Sequence, residues 1–493
     1  MVKKATVSKR RAASRRKKGA TVATVLAWQD DPSSGKPAIA RPVPVLAKAP
    51  LKYKFNGAAV APGAYALGTW EFRYWTAAEA LRRGGDFWAP LLGGKHWQPG
   101  TVLPVSLDKG VDLNAYYDRT ELAFFHQSVG GKTIYSGESP DVVCHEMGHA
   151  CLDAHRPELF DAPFIEVGAF HESFGDMSAV LSALQLQGVR QAALGAVKSY
   201  KASFLSRCAE QLGWAIRQVD APAVDKDCLR NAYNAFKYVD PQTLPDDAPA
   251  TKLCAEVHSF SRVFTGAFYE ILSGMLKIRS ANPTEAALAA IAKDFAQLLM
   301  DATAAAPVQP NYFSQVAAHM IDADTARFSG KYRSALVNTF VDRLIVPESA
   351  VHALTAHKGK VPAKRAVRTA GLALRPAKPR VHKIPMNARE FGHGNKPFVV
   401  LAPLDQKPFL LAAAGLANRH AGPDSVAHAT HRFVKMLFAR DRVDTGPGAK
   451  KHVASIHASR QKLRKTHVLV PSKDGLTLTR RLFHCGCEVE RAD

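Results

Sequence analysis

The pattern of apolar and polar positions differs between the first part of the chain and the part that follows. Before residue 126, aromatic and β-branched residues cluster in short runs, which predict the strands of a small sheet at Thr69–Phe72, Thr101–Leu107 and Asn114–Phe125. The good helix formers of Thr76–Arg83 predict a helix between the first two strands. This part of the chain is therefore expected to combine strands with a helix.

Helical spacing prevails from about residue 140 to about residue 346. Gly168–Gln185 is rich in apolar residues at that spacing. The sequence Asn282-Pro283-Thr284-Glu285 carries the signals of a helix start, with a capping Asn, a Pro at the first helical position and a Glu after it. Further helices are predicted around residues 191–238, 258–275, 312–321 and 332–345. The predicted fold class is α+β, with a small N-terminal mixed sheet followed by a mainly helical lobe.

One short segment of the helical part carries candidate chemistry. Asp141–Ala150 contains the pattern HExxH, formed by His145, Glu146 and His149. In a helix the two histidines lie one turn apart on the same face, where both imidazoles can bind one zinc ion. Glu146 then lies beside the metal, where its carboxylate can accept a proton from the attacking water. Because catalytic zinc usually has three protein ligands, the pattern predicts a third ligand elsewhere in the chain.

Two acids of the next predicted helix have suitable positions for that site. Glu172 and Asp176 are four residues apart and so share one helix face. Glu172 is the predicted third ligand, and Asp176 is predicted to accept a hydrogen bond from a ligand histidine, His145, and to orient its ring. The alternative is that the HExxH pattern and the two acids belong to unrelated surface helices with ordinary charges.

HExxH followed by GxxxExxxD resembles the thermolysin-like zinc metallopeptidases, the zincins whose third ligand is a glutamate. Further segments fit this family in the same order. Asn114-Ala115-Tyr116-Tyr117 looks like the family's substrate-binding edge strand, and Asp141-Val142-Val143 is family-like before the first histidine. Glu256-Val257-His258-Ser259 is similar to the start of the helix that carries a catalytic histidine. The resemblance covers about half of the chain and implies a zincin fold.

The resemblance also implies a function, that of a zinc-dependent endopeptidase acting on a polypeptide substrate. Its implied zinc ligands are His145, His149 and Glu172, its catalytic residues are Glu146 and His258, the residue that orients a ligand is Asp176, and the residues that bind substrate are Asn114 and Ala115. In the implied reaction, Glu146 takes a proton from the attacking water and passes it to the leaving amine, while His258 stabilises the oxyanion.

Two positions depart from the family pattern. Where the family has a tyrosine that helps bind the oxyanion, this chain offers Phe160 and Phe164, which have no hydroxyl to donate. The usual acidic partner of the family's catalytic histidine has no clear counterpart for His258, whose nearest acid is Glu256. These departures favour an alternative function, a catalytically weak or inactive zincin that serves as a binding module for an anionic polymer.

Length and composition indicate a globular protein of two or three domains. The chain has 493 residues, of which 47% are hydrophobic and 22% charged, and it contains no apolar run that approaches the ~20 residues of a membrane span. Since the N-terminus shows no conventional secretory signal, a cytoplasmic location is predicted, with export by another route left open. The seven cysteines are then expected to be free thiols.

The net charge of +23 is concentrated outside the predicted catalytic region. Residues 1–20 and 356–383 each hold nine Lys or Arg and no acid, so they are predicted to contact an anionic polymer or membrane surface, or simply to keep the protein soluble. The predicted units are a disordered basic tail and lead-in (1–40), an N-terminal zincin subdomain ending in the zinc helix (41–150), a helical zincin lobe (151–350), a basic linker (351–383) and a C-terminal extension of unknown fold (384–493).

The C-terminal extension contains three patterns that can be interpreted locally. His428–Arg440 has the spacing of an amphipathic helix with a basic face, and Val468–Arg480 predicts a hairpin around Asp474-Gly475. Near the end, His484-Cys485-Gly486-Cys487 either binds a metal or holds free or mutually bonded thiols. The oligomeric state is not indicated by any of these patterns.

Overall fold

The computed structural model describes residues 23–350, 380–404, 423–446, 464–473 and 475–486. These residues form an α+β fold, which confirms the predicted class. The helices of the described part are α1 (Trp70–Leu92), α2 (Pro140–His155), α3 (Ile165–Ala183), α4 (Gln187–Ser199), α5 (Glu210–Arg217), α6 (Val257–Arg279), α7 (Glu285–Ala305), α8 (Tyr312–Phe328), α9 (Arg333–Asp342) and α10 (Pro423–Ala439). None of these helices is both long and apolar enough to cross a bilayer.

The strands of the described part form two five-stranded sheets and three two-stranded ones. They are β1 (Thr24–Trp28), β2 (Ala38–Pro42), β3 (Lys52–Phe55), β4 (Val102–Ser106), β5 (Ala115–Tyr117), β6 (Leu122–Phe124), β7 (His126–Val129), β8 (Lys132–Tyr135), β9 (Arg207–Cys208), β10 (Arg230–Asn231), β11 (Arg380–Asn387), β12 (Pro397–Leu404), β13 (Val443–Asp444), β14 (His467–Ser472), β15 (Gly475–Arg480) and β16 (Phe483–His484). The N-terminal sheet has the order β16-β5-β6-β4-β3, and the C-terminal sheet has the order β11-β12-β15-β14-β13.

The strand predicted at Thr69–Phe72 is wrong, because these residues begin helix α1. The hydroxyl oxygen of Thr69 accepts a hydrogen bond from the backbone N–H of Phe72 at 3.2 Å, which is the bond of an N-cap. The aromatic residues that suggested a strand instead line the buried face of the helix. Phe72 packs edge-on against Trp28 of β1, with ring centroids 5.7 Å apart.

The lead-in predicted after the basic tail contains regular structure, since residues 24–42 form an antiparallel hairpin. β1 pairs with β2 from Thr24↔Pro42 to Trp28↔Ala38. The hairpin packs on α1, and the backbone N–H of Trp28 donates to the hydroxyl of Thr76 at 2.8 Å. Alternating burial along β1 explains why so short an apolar run forms a strand, because one face is covered by α1.

Two glycines allow helices α2 and α3 to approach each other closely. A Cβ at Gly148 would lie 3.0 Å from the Cα of Gly175 and 2.8 Å from the Cβ of Ser178. A Cβ at Gly175 would lie 2.6 Å from two atoms of the His145 ring. Only residues without a side chain fit at this crossing, so glycine sets the distance across which side chains of α3 reach those of α2.

The described part of the C-terminal extension forms its own five-stranded sheet, but its last strand, β16, belongs to the N-terminal sheet instead. β14 and β15 pair as the predicted antiparallel hairpin, although Asp474 itself lies outside the described residues. Residues 380–383, predicted to belong to the basic linker, lie instead in β11, which pairs with β12 along eight residues. After β15 the chain crosses over, and β16 adds to the N-terminal sheet beside β5. The predicted contacts of residues 1–20 and most of 356–383 concern residues outside the described ranges.

Candidate metal centre

Helices α2 and α3 bring the three predicted zinc ligands together in the interior. The Nε2 atom of His145 lies 3.3 Å from Oε2 of Glu172, and Nε2 of His149 lies 3.6 Å from Oε1 of the same carboxylate. All three residues are completely buried. One ligand atom from each lies within 4.8 Å of the other two, which is the spacing of atoms that share one ion.

Apart from these imidazole–carboxylate approaches, the polar atoms at this meeting point make no hydrogen bond among the described residues. The Nε2 atoms of His145 and His149, both carboxylate oxygens of Glu172 and both of Glu146 make no hydrogen bond there. An unsatisfied buried polar atom costs about 1–3 kcal/mol, and more if it is charged. Three of these residues, His145, His149 and Glu172, offer ligand atoms within 4.8 Å of one another and could hold a cation, and the imidazole–imidazole–carboxylate set fits zinc.

Asp176 fixes the orientation of the His145 ring. Its Oδ1 accepts a hydrogen bond from Nδ1 of His145 at 3.0 Å, so Nε2 of the ring faces Glu172. Burial lowers the pKa of His145, but the hydrogen bonds to Asp176 and Glu172 outweigh it and raise the pKa to about 9 in the absence of a metal. Arg230 donates to both oxygens of Asp176, at 2.8 and 3.1 Å. Burial alone would raise the pKa of Asp176, but Arg230 and His145 outweigh it and hold the pKa well below its usual range. Asp176 thus stays ionised in a buried position.

The second histidine is oriented by a residue that the sequence analysis did not single out. Nδ1 of His149 lies 3.3 Å from Nδ1 of His171, so a proton on His149 can be donated there and leave its Nε2 free. Burial, with the nearby His145 second, lowers the pKa of His149 well below its ordinary value. His149 is therefore neutral, which is the form that binds a metal.

Glu146 lies beside the ligands with its carboxylate completely buried. Burial raises its pKa to about 8, against the opposing effect of the neighbouring His145. A carboxylate whose pKa lies near neutrality can both accept and release a proton under ordinary conditions. This property suits a residue that must take a proton from water and then pass it on.

The expectation that His258 lacks an acidic partner is wrong, because Glu256 supplies one. Nδ1 of His258 donates to Oε1 of Glu256 at 2.6 Å, and the same carboxylate caps helix α6. Burial opposes the charged form, but Glu172 and Glu256 together raise the pKa of His258. The acids further along the chain, Asp246 and Asp247, pair with arginines 432 and 440 instead. Nε2 of His258 lies 3.3 Å from the Glu172 carboxylate, so the imidazole faces the metal centre.

The single strand predicted at Asn114–Phe125 is wrong, because this segment turns back on itself as the antiparallel strands β5 and β6, and the edge of β5 that the predicted substrate-binding residues would offer is covered. Ala115 begins β5, and Asn114 directly precedes it. Both groups already bind the C-terminal segment, because Ala115 O accepts from Cys485 N at 3.0 Å and Asn114 Oδ1 accepts from Gly486 N at 3.0 Å. The open edge expected for β-augmentation is therefore occupied by β16 of the same chain.

Phe160 and Phe164, the phenylalanines predicted in place of an oxyanion-binding tyrosine, are both buried, and Phe160 packs against a cation and an aromatic ring. The guanidinium of Arg119 lies 4.1 Å above its ring, and Phe483 of β16 packs edge-on against it at 5.3 Å. The side chain brings no hydrogen-bond donor to the centre. Arg230 is one nearby side chain with N–H groups, and it donates toward the Cys485 carbonyl at 3.4 Å.

Sequence reasoning missed several residues of the site, and the reason is the same for each. Arg230 lies in a two-residue strand and His171 in an apolar helix, so no local pattern marks either. Cys485 belongs to the HCGC run, whose sequence has no evident link to the zinc helices. Only the tertiary structure brings these residues near His145, and Cys485 forms a buried group with His145 and Glu146.

A second buried group of acids lies at the start of α2. Asp31, Asp141 and Glu210 offer oxygens within 4.8 Å of one another. Burial and the adjacent Asp31 raise the pKa of Asp141 to about 7, and the same two causes raise the pKa of Glu210 to about 9. Neighbouring hydrogen bonds partly satisfy the group, since Asp31 accepts from the hydroxyl of Ser139 at 2.7 Å.

Comparison with known proteins does not assign this chain to a family. No protein-family model matches the chain, and no curated protein matches it.

Proposed function

We propose that this protein is a zinc-dependent endopeptidase of the thermolysin-like kind. The observation that carries the proposal is the grouping of buried ligand atoms from His145, His149 and Glu172 within 4.8 Å of one another, with a carboxylate oxygen of the buried Glu146 within 4.8 Å of a ring nitrogen of His145. Two imidazoles and one carboxylate are a common catalytic donor set for zinc. A purely structural site would have no use for a buried carboxylate such as Glu146 beside the three ligands.

In this proposal each residue has a defined task. Zinc held by His145, His149 and Glu172 supplies a Lewis acid that polarises a carbonyl and lowers the pKa of water toward neutrality. Glu146 accepts the proton of the attacking water and delivers it to the leaving amine. His258, held by Glu256, donates from Nε2 to the oxygen that becomes negative in the transition state.

The position of β5 supports a peptide as the substrate class. Ala115 O and Asn114 Oδ1 accept hydrogen bonds from the backbone N–H groups of Cys485 and Gly486, so this strand already binds an extended segment of the chain. An extended peptide can use these acceptors with its own N–H groups, which gives recognition without dependence on side chains. A substrate so bound would place a backbone carbonyl within reach of His258.

The test combines metal analysis with hydrolysis of denatured casein by the full chain. The wild-type protein is expected to bind one zinc per chain and to hydrolyse casein. Glu146→Gln is expected to keep its zinc and to lose roughly 10²–10⁴-fold in rate, as for the loss of a general base. A protein that binds no zinc, or hydrolysis that continues unchanged in the variant, contradicts the proposal.

A second candidate function is a zincin without activity that binds an anionic polymer. The observation that favours it is Phe160, which brings no hydroxyl to the oxyanion position. It predicts retention on heparin that falls with salt and falls further when residues 1–20 are deleted. A zinc-loaded protein that is retained in this way and never hydrolyses casein would support it over the peptidase.

A further inference from the structure

The cleft of the candidate metal centre is filled by the chain's own C-terminal segment, residues 482–486. Phe483 and His484 pair antiparallel with Tyr117 and Tyr116 of β5. Leu482 joins a small apolar cluster with Tyr116, Ala123 and Phe125. Every residue of the segment is buried. The cavity that remains between it, Glu172 and His258 is about 30 Å³, which is too small for a second peptide.

The backbone of this segment uses the groups that the proposed function assigns to a substrate. Nε2 of His258 donates to the carbonyl oxygen of His484 at 2.6 Å. Cys485 N donates to Ala115 O, and Gly486 N donates to Asn114 Oδ1. The segment is thus bound as an extended peptide whose carbonyl approaches the oxyanion donor.

Side chains of the segment contact the metal ligands directly. The ring of Phe483 stacks on His149 and on His171, with centroids 4.9 and 4.2 Å away. Cys485 is completely buried, and its Sγ lies within 4.8 Å of a ring nitrogen of His145 and an oxygen of Glu146. The thiol therefore lies close to one proposed zinc ligand and to the proposed base. Thiolate sulfur is a preferred ligand of zinc.

The C-terminal sheet holds the segment in position from outside the cleft. Arg480, at the end of β15, donates to the Phe160 carbonyl at 2.8 Å, and its guanidinium lies 4.1 Å from the Phe483 ring. Arg481 pairs with Asp444 of β13 at 2.8 Å. The sheet therefore delivers β16 to β5 from a fixed direction, and this lowers the entropy that the segment loses on binding.

We infer that Cys485 is a fourth, reversible zinc ligand and that residues 482–486 are an internal peptide that keeps the proposed peptidase latent. This inference rests on the proposed function. On binding, the Cys485 thiol gives its proton to solvent or to Glu146 and takes the coordination position that a water needs. Activation is then the withdrawal of this segment from β5, which frees the peptide cleft and the metal together.

The direct readout is zinc coordination in the full-length chain, measured by X-ray absorption. Wild-type protein loaded with one zinc is expected to show one sulfur at about 2.3 Å beside nitrogen and oxygen ligands. Cys485→Ser is expected to keep its zinc and lose the sulfur. Cys228→Ser changes another buried cysteine, one that belongs to none of the groups of potential metal ligands around His145, so it is the matched control and is expected to keep the sulfur signal.

A second variant displaces the segment without removing the thiol. A Cβ at Gly486 would lie 2.5 Å from Leu113 O and 2.9 Å from Asn114 Oδ1, so Gly486→Val cannot keep the segment in place. It is expected to lose the sulfur signal as well, although Cys485 is intact. Circular dichroism confirms that each variant is folded before its zinc coordination is compared.

Hydrolysis of denatured casein measures latency in the same proteins. If the segment leaves the cleft in roughly 0.1–10% of wild-type molecules, its release raises the rate by about 10- to 1000-fold. Both Cys485→Ser and Gly486→Val should show this rise, and Cys228→Ser should not. Adding Glu146→Gln to either activated variant should abolish the gain, which assigns the activity to this site.

The possible failures are distinguishable. Wild-type protein without a zinc–sulfur bond that is as active as both variants overturns the latency inference and leaves the peptidase proposal standing. A zinc–sulfur bond in wild type with no hydrolysis by any variant overturns the peptidase proposal and leaves Cys485 as a ligand. Intact-mass analysis that finds the chain cut within residues 482–486 on zinc loading identifies the segment as a substrate and overturns its role as an inhibitor.

Discussion

At the residue scale, burial determines which chemistry each side chain of the centre can perform. Asp176 and Glu146 are both buried carboxylates, yet their pKa values move in opposite directions. Asp176 receives two bonds from Arg230 and one from His145, so its charge is retained. Glu146 has no hydrogen-bond donor among the described residues, so burial prevails and its pKa rises. One carboxylate is thereby suited to orient a ligand and the other to move a proton.

The first prediction concerns Asp176. Asp176→Asn keeps the shape of the side chain but removes the charge that orients and strengthens His145 as a ligand. Zinc affinity, measured by competition with a chromophoric chelator, is expected to fall about 10–100-fold. Glu166→Gln is the matched control, because Glu166 lies on the same helix but accepts hydrogen bonds from Tyr238 and Phe313. Equal affinities in the two variants would show that Asp176 does not act on the metal.

At the element scale, the closeness of α2 and α3 determines whether ligands from two helices can share one ion. Glu172 extends from α3 toward histidines of α2, and its reach is limited by its short side chain. The glycines at the crossing remove the bulk that would otherwise separate the two helices. Because the interior is close-packed, a change of one methyl group at this point moves the His145 ring.

The second prediction follows from this packing. Gly175→Ala places a methyl group 2.6 Å from the His145 ring and is expected to weaken zinc binding by about tenfold or more, comparable to the loss of a ligand's supporting contact. Gly195→Ala on α4 is the control, since a Cβ added there would have nothing within 4 Å and alanine favours the helix. Chelator competition measures both, and unchanged affinity in Gly175→Ala would contradict the packing argument.

The third prediction concerns the acidic group at the start of α2. Burial raises the pKa of Asp141 to about 7, whereas an unfolded aspartate has a pKa of about 3.9. The folded state therefore holds a proton that the unfolded state has released, and stability falls as pH rises across that interval. Calorimetry of the zinc-free protein should show a lower unfolding temperature at about pH 8 than at about pH 5.

Asp141→Asn is the matched variant for this prediction. The amide can accept from Ala209 N, as the carboxylate does at 3.2 Å, and it carries no charge at any pH. Its unfolding temperature should fall less than that of the wild type over the same pH interval. A variant that is less stable than the wild type at high pH would show that the ionised carboxylate is stabilising.

At the scale of the whole molecule, the centre joins parts of the chain that are far apart in sequence. Its predicted ligands come from α2 and α3, the proposed oxyanion donor comes from α6, and β16 covers the edge of β5 beside them. A cation bound at this junction interacts with the folded state alone, because the unfolded chain does not hold these groups together.

The fourth prediction is that zinc stabilises the full chain against unfolding. At a free zinc concentration about 1,000-fold above the dissociation constant, the gain in unfolding free energy is about 4 kcal/mol. Scanning calorimetry with zinc and with a chelator measures the difference in unfolding temperature. Glu172→Gln should reduce the difference strongly. An unfolding temperature that does not respond to zinc would be evidence against a metal centre.

Local patterns predict much of the fold and the main residues of the site. Strand-like runs followed by helical spacing predict the fold class, and β4 and most of α3 lie where expected. The strand prediction at Thr69–Phe72 fails because aromatic residues fit a buried helix face as well as a strand. The acidic partner of His258 is missed because Glu256 is only two residues away and acts through a cap.

The amino-acid sequence alone determined the spacing of His145 and His149 and of Glu172 and Asp176, since four residues make about one helical turn whatever surrounds them. Only the tertiary structure decided what faces them. Arg230, His171 and Cys485 contact the centre although they are tens to hundreds of residues away in sequence from the residues they meet there. No local pattern encodes such contacts. The pairing of β16 with the edge of β5 is likewise decided only by the tertiary structure, because strand pairing is set by the packing of whole sheets.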